Sequence, residues 1–277
     1  MADNKIDLNT DIIGIAIDGV GYGDDNTIWG GEIFQCDYTS YKRVAHLKPQ
    51  PIISNDSFSY NPNRMLYGIL SSSKENNMIR DLLKINNNFN IKDMLFINEI
   101  INKKFNITYT SSLGRIYDAL SSLLSICNKR TYEGEPAMKF ESYLSHSKNY
   151  NDIKFKVDIN DLIFKKDSKD IIDTTKIFEI LIDLLKKRHK KLDVAKFANY
   201  ILTKTIANIA INKCLETGIN IIGVSGGVAN NDRIIKMFSN VFKENKLHMI
   251  THKYVPCGDG GISLGQIAHA AASNILQ

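Results

Sequence analysis

The feature that most constrains this chain is an apolar strand that ends in a carboxylate and a string of glycines. Residues 12–17 read IIGIAI, and Asp18, Gly19, Gly21, Gly23 and the cluster Asp24-Asp25-Asn26 follow. TIWGGEIFQCDY and then YKRVAHLK come next. Short β-rich runs split by Gly and Asp-Asn clusters predict an antiparallel meander of three strands. A chain that opens this way is committed to a sheet, and later segments must cover its faces.

The remaining pattern is mixed. RMLYGILSS has helical spacing, KINNNFNIKD reads as a polar loop, and LGRIYDALSSLLSI reads as a helix with Ser or Thr available as N-cap. YEGEPAMKFESYLSH reads as a turn and a helix, and residues 150–166 look strand-like, with KFKVDI alternating. Two helices are expected around 175–190 and 193–216, followed by strand (INIIGVSGG), helix (NNDRIIKMFSNVFKENK), strand (HMITHKYV) and a final helix after GDGG. Three parts follow: residues 1–50 as the meander, 51–217 as a helical insertion with helices packing on the lobe, and 218–277 as a closing βαβα. A meander followed by βα units predicts an α/β lobe of the actin-like, ribonuclease-H-like nucleotide-binding kind.

Composition narrows the class of function. The chain has 277 residues, 43% of them hydrophobic, enough for a core without a disulfide or metal staple. No apolar run approaches the ~18–20 residues of a membrane span. MADNKIDLNTD lacks a basic-then-apolar signal pattern, so secretion is not expected. Cys36, Cys127, Cys214 and Cys257 show no CxxC spacing, which argues against a zinc or thiol-redox motif and fits a reducing cytoplasm. Net charge is only +5, and the run from Lys186 to Lys191 closes an apolar helix pattern, where cations suit the helix dipole. A nucleic-acid partner is therefore not expected.

Three constellations carry chemistry. In DGVGYGDDNTIWGGE, a strand-end Asp18 beside a glycine hairpin can bind a hard cation while backbone amides hold a phosphate, or it is an ordinary β-hairpin. In GVSGGVANNDR, a strand runs into Ser225-Gly226-Gly227 and then a helix, a turn that lets a phosphate approach the backbone or is the tight strand-to-helix turn of any α/β protein. In VPCGDGGISLGQ, Asp259 is a helix cap or, paired across a cleft with Asp18, a metal ligand. His46, His252, Cys257 and Trp29 each read first as packing or satisfied residues.

Together IAIDGVGYGDDNTIWGGE, TSSLGRIYDALSSLLSI with YEGEPAMKFE, and GVSGGVANND with VPCGDGGISLGQ resemble one family. It is the C-terminal domain of the HypF-type hydrogenase maturation carbamoyltransferases, an ASKHA-type fold related to the tRNA threonylcarbamoyl transferases. The resemblance implies that ATP-derived carbamoyl-adenylate binds with a divalent metal. The carbamoyl group then passes to the C-terminal cysteine of a HypE-type partner, the source of a cyanide ligand in nickel-iron hydrogenase. Residue by residue, Asp18 and Asp259 match metal ligands, Gly226, Gly227 and Asn231 match the nucleotide-binding SGG element, and Gly114 and Asp118 match the helix flanking the ribose. Glu133 and Glu135 lie in the family's YEG segment.

The departures are specific. The family's HHHAH-type metal motif precedes the IAIDG strand, and only eleven residues precede it here. Family members often have Phe-His-Asn where this chain has Phe197-Ala198-Asn199. The expectation is one subunit of a split carbamoyltransferase, with the other lobe and the adenylate-forming domain on a second polypeptide. A non-catalytic nucleotide- or partner-binding remnant is the alternative, and a tRNA threonylcarbamoyl transferase the weaker one. Either way the lobe is expected to associate with a partner or with itself.

Overall fold

A computed structural model describes residues 1–53, 61–73, 81–82, 90–147 and 152–275. The meander is present as β1 (Ile12–Tyr22), β2 (Ile28–Cys36) and β3 (Tyr41–Leu47). Later strands are β4 (Gln50–Ile53), β5 (Ile107–Thr110), β6 (Ile163–Lys166), β7 (Lys169–Ile172), β8 (Ile221–Ser225) and β9 (His248–Ile250). All join one sheet in the order β6-β7-β3-β2-β1-β8-β9, with β5 bridging β2 and β4 to the side. β8 and β9 run parallel to β1, as βα units require, and β1 to β3 are antiparallel. The structure is thus mixed α/β.

Residues 51–217 are not solely helical, because β4 to β7 lie within them and extend the sheet. Of the strand-like stretch 150–166, Ile163–Lys166 forms β6, while KFKVDI does not form a strand. Its alternation is satisfied differently: Phe155 and Val157 are half-buried and pack against the core, Phe155 meeting the Phe197 ring at 5.5 Å, while Lys154 and Lys156 face solvent. A period of two needs only one apolar surface to face, and here that surface is a helix rather than a neighbouring strand. The KINNNFNIKD loop lies largely outside the described residues, and its Asn90 caps the next helix by accepting the Lys92 amide at 2.9 Å.

The helices are α1 (Pro62–Ser71), α2 (Ile91–Asn102), α3 (Leu113–Leu123), α4 (Glu135–Ser145), α5 (Thr174–Lys186), α6 (Lys191–Thr217), α7 (Asp232–Glu244) and α8 (Ile262–Ile275). Ile13, Ile15 and Ile17 point from β1 into the same core as Phe178, Phe197 and Phe238. α6 is apolar around most of its circumference because it is the buried centre of that layer. Phe197-Ala198-Asn199 lies in it, and Asn199 accepts the Tyr117 hydroxyl at 2.7 Å. Ala198 is therefore a core residue, away from any ligand surface. The basic run behaves as a solvated helix end, with Lys186 paired to Asp81 and Lys187 to Asp183, both at 2.7 Å.

The opposite face of the sheet carries Gly14, Ala16 and Asp18, whose neighbours are α8 and the first residues of the chain. α8 carries no charged residue and buries only Ala272 among its fourteen residues. The face it shares with the sheet is where the candidate site lies.

Candidate functional site

A cavity of about 510 Å³ opens between the ends of β1, β2 and β8 on one side and α8 on the other. Asp18, Gly226 and Asp259, three positions singled out in the sequence, all line it. A register shift places Asp18: Ile17 pairs Gly31 and Gly21 pairs Trp29, so Asp18, Gly19 and Val20 oppose Gly30 alone. Such a bulge bends the strand and re-aims its side chains. The bend is held from behind by Ser112 at the start of α3, whose hydroxyl donates to the Asp18 and Gly19 carbonyls at 2.6 and 2.7 Å.

The close approach of loops explains the glycines. Gly226 has φ +101, and a methyl there would lie 2.7 Å from the Ile17 carbonyl carbon. A methyl on Gly227 would sit 3.0 Å from an Asp18 carboxylate oxygen, and one on Gly114 would fall 2.7 Å from the Gly19 Cα. Gly114 thus seats α3 against the Asp18 bend. The Gly226 amide donates to the Cys257 carbonyl at 2.8 Å, tying the SGG turn to the loop that carries Asp259.

Two other expected residues do different work. Asn231 uses its side-chain oxygen to cap α7, accepting the Arg233 and Ile234 amides at 3.0 and 3.2 Å, and it does not line the cavity. Asp118 is 3% exposed and pairs with Arg115 at 3.0 Å, one turn into α3 and outside the cavity wall. Burial pushes its carboxyl up to about 6 against the pull of Arg115 and Arg130. Glu135 pairs with Lys139 at 2.7 Å and takes the Thr131 amide at 2.5 Å, which holds its carboxyl down at about 2, so it braces the YEG turn.

The glycine hairpin is not open to phosphate at its Gly30-Gly31 amides. Both donate to one oxygen of Glu32, at 2.5 and 2.6 Å. The other oxygen takes Ser111 and the Arg43 guanidinium, the latter at 2.9 Å. Glu32 is 1% exposed; desolvation raises its carboxyl pKa, and these four partners oppose that rise. Arg43 then lies 4.1 Å over the Trp29 ring, and Trp29 and Glu32 both reach the cavity wall. Sequence reasoning missed this brace. The available signal was a carboxylate set directly after a Gly-Gly pair inside a strand.

The chain's own donors fit part of a hard-cation site. Asp18 and Asp259 supply two oxygen-donor side chains to one cavity. Among the described residues no group of three or more His, Cys, Asp or Glu side chains is close enough to hold a metal ion. At the cavity wall Tyr22 is 88% exposed, and Ile262 of α8 is exposed too. No helix among the described residues is long and apolar enough to cross a membrane. The four cysteines are unpaired.

This sheet, with a ligand-sized cleft where β1 and β8 end, defines an α/β lobe of the ASKHA type. The family description "Carbamoyltransferase, Kae1-like Domain, second subdomain" matches residues 14–266. A probable carbamoyltransferase HypF of Methanocaldococcus jannaschii is 36% identical over 92% of this chain, and a carbamoyltransferase HypF of Rhodobacter capsulatus is 30% identical over 93%. The chain spans about a third (32%) of the length of each. Full-length HypF in a phosphate- and nucleotide-bound form superposes with a TM-score of 0.86 at 29% identity, over 98% of this chain and 34% of that one. HypF of T. kodakarensis gives 0.80 at 32% identity, over 95% and 34%. The chain belongs to the HypF carbamoyltransferase family.

Proposed function

We propose that this lobe takes part in carbamoyl transfer from carbamoyl-adenylate to the C-terminal cysteine thiol of a HypE-type partner in nickel-iron hydrogenase maturation. The convergence of Asp18, the SGG turn and Asp259 on one cavity, in a member of this family, carries the reading. Nucleotide phosphate would lie at the SGG turn, which lines the cavity through Ser225 and Gly226. Asp18 and Asp259 would hold a divalent cation from one side. When bound, it would offset the charge of the phosphate as it becomes a leaving group.

In the transfer, the thiol sulfur bonds to the carbamoyl carbon while the bond from that carbon to the phosphate oxygen breaks. AMP leaves with that oxygen, and the thiol proton passes to solvent. The exposed Tyr22 and α8 at the cavity wall suit a second, first-subdomain lobe that closes the cavity and completes the ligand set. We place that lobe outside these 277 residues.

The test mixes the chain with a first-subdomain and adenylate-forming polypeptide, ATP, carbamoyl phosphate and a partner ending in cysteine. Mass spectrometry of the partner's terminal peptide is expected to show a carbamoylated cysteine only when this chain is present. Equal modification without it would overturn the proposal and favour a non-catalytic binding role.

A further inference from the structure

The SGG turn and the Asp259 loop are joined at a single atom. The carbonyl oxygen of Cys257, two residues before Asp259, accepts the Gly226 amide at 2.8 Å and the Ser225 hydroxyl at 3.3 Å. His252 Nε2 lies 2.9 Å from the same Ser225 oxygen, within hydrogen-bond distance.

The backbone on either side of His252 is held by the chain's first residues. The Asp3 carboxylate takes the Lys253 amide at 2.5 Å and the Tyr254 amide at 3.2 Å, and Asn4 donates to the Thr251 carbonyl at 2.7 Å. Burial lowers the pKa of His252, which favours the neutral ring. Its Nδ1 is buried and makes no hydrogen bond to any described residue. These contacts link β8, β9 and the loop before α8 into one unit at the cavity wall.

We infer that His252 is a positioning residue: through its hydrogen bond to Ser225 it locks the SGG turn to the Cys257–Asp259 loop and so sets the spacing between the proposed phosphate-binding turn and one candidate cation ligand. This deepens the carbamoyl-transfer reading and rests on it for the identity of the ligand. The lock itself is a property of the fold and is measurable without any ligand.

The experiment compares the full chain with His252→Ala, His252→Asn, Ser225→Ala and the Ser225→Ala/His252→Ala double variant. Amide hydrogen exchange at Gly226 is read first, then calorimetry with ATP and Mg²⁺. In His252→Ala, exchange at Gly226 is expected to rise and nucleotide affinity to fall, each about tenfold. His252→Asn, whose side-chain amide can still hydrogen-bond to Ser225, should recover most of both. The double variant should be no worse than Ser225→Ala alone, because the two residues act in series. Unchanged exchange at Gly226, additive losses, or an Asn variant as impaired as Ala would each overturn the inference. If the parent chain fails to bind ATP, the nucleotide reading falls while the exchange data still decide whether His252 holds the turn.

Discussion

Replacing Glu32 by Ala should cost this lobe about 4 kcal/mol of stability, more than any surface substitution. The carboxylate is 1% exposed and satisfies two backbone amides, the Ser111 hydroxyl and the Arg43 guanidinium. Removing one member of a buried ion pair costs about 3–5 kcal/mol, because the remaining charge stays desolvated. The Gly30 and Gly31 amides lose their acceptor as well, at about 1–3 kcal/mol each if water cannot reach them. These penalties overlap, since Arg43 keeps a contact to Asp25 at 3.3 Å and the turn can relax toward the cavity. With a urea m-value of about 3 kcal/mol/M, the loss moves the unfolding midpoint down by roughly 1.3 M. Glu32→Gln keeps the shape but turns an acceptor into a donor facing other donors, and should fall between Ala and the parent. A midpoint shift under about 0.3 M for Glu32→Ala would refute the argument that this carboxylate braces the hairpin.

Three further outcomes follow from particular contacts. Gly226→Ala combines a positive φ with a collision against Ile17, so a loss of about 3–5 kcal/mol is expected by chemical denaturation, whereas Gly218→Ala, with φ +76 but open space around it, should lose only about 1–2 kcal/mol. His46 is pushed down to about 4 from 6.5, chiefly by burial. The unfolded chain therefore takes up its proton first on acidification, and the neutral ring's contribution, present above pH 6.5, is lost as pH falls toward 4; His46→Gln should flatten that part of the stability–pH curve by up to about 3 kcal/mol. Ala198→His, which would restore the residue family members often carry, should destabilise α6 by at least about 2 kcal/mol in a thermal melt, because that position is fully buried.

The architecture was largely legible because it is written in local patterns. The meander, α3 with its Ser112 cap, and the closing βαβα each follow from apolar spacing bounded by glycine or a capping residue. The strands within residues 51–217 were harder, because β4 to β7 are four residues each and too short for a period to register. KFKVDI misled for the converse reason, since its period of two was real but answered to a helix. At the site, the glycines and the two aspartates stood out because close approach and charge at strand ends are readable in sequence. Glu32 and the Ser225–His252 pair did not, because their meaning depends on partners distant in the chain: Ser111 is 79 residues from Glu32, and His252 is 27 from Ser225. Asn231 and Asp118 were legible only through the family pattern, and in the structure their side chains form a helix cap and a buried ion pair.

The proposed function requires Asp18 and Asp259 to act together on one cation in the cavity proposed to receive the nucleotide. The most direct measurement is calorimetric titration with Mn²⁺ in the presence of AMP, on the chain paired with a first-subdomain polypeptide. The parent pair is expected to show saturable binding. Asp18→Asn and Asp259→Asn should each weaken it at least about tenfold, and the double variant should abolish it while leaving the unfolding midpoint in place. Binding of equal strength in the parent and the double variant would contradict the claim.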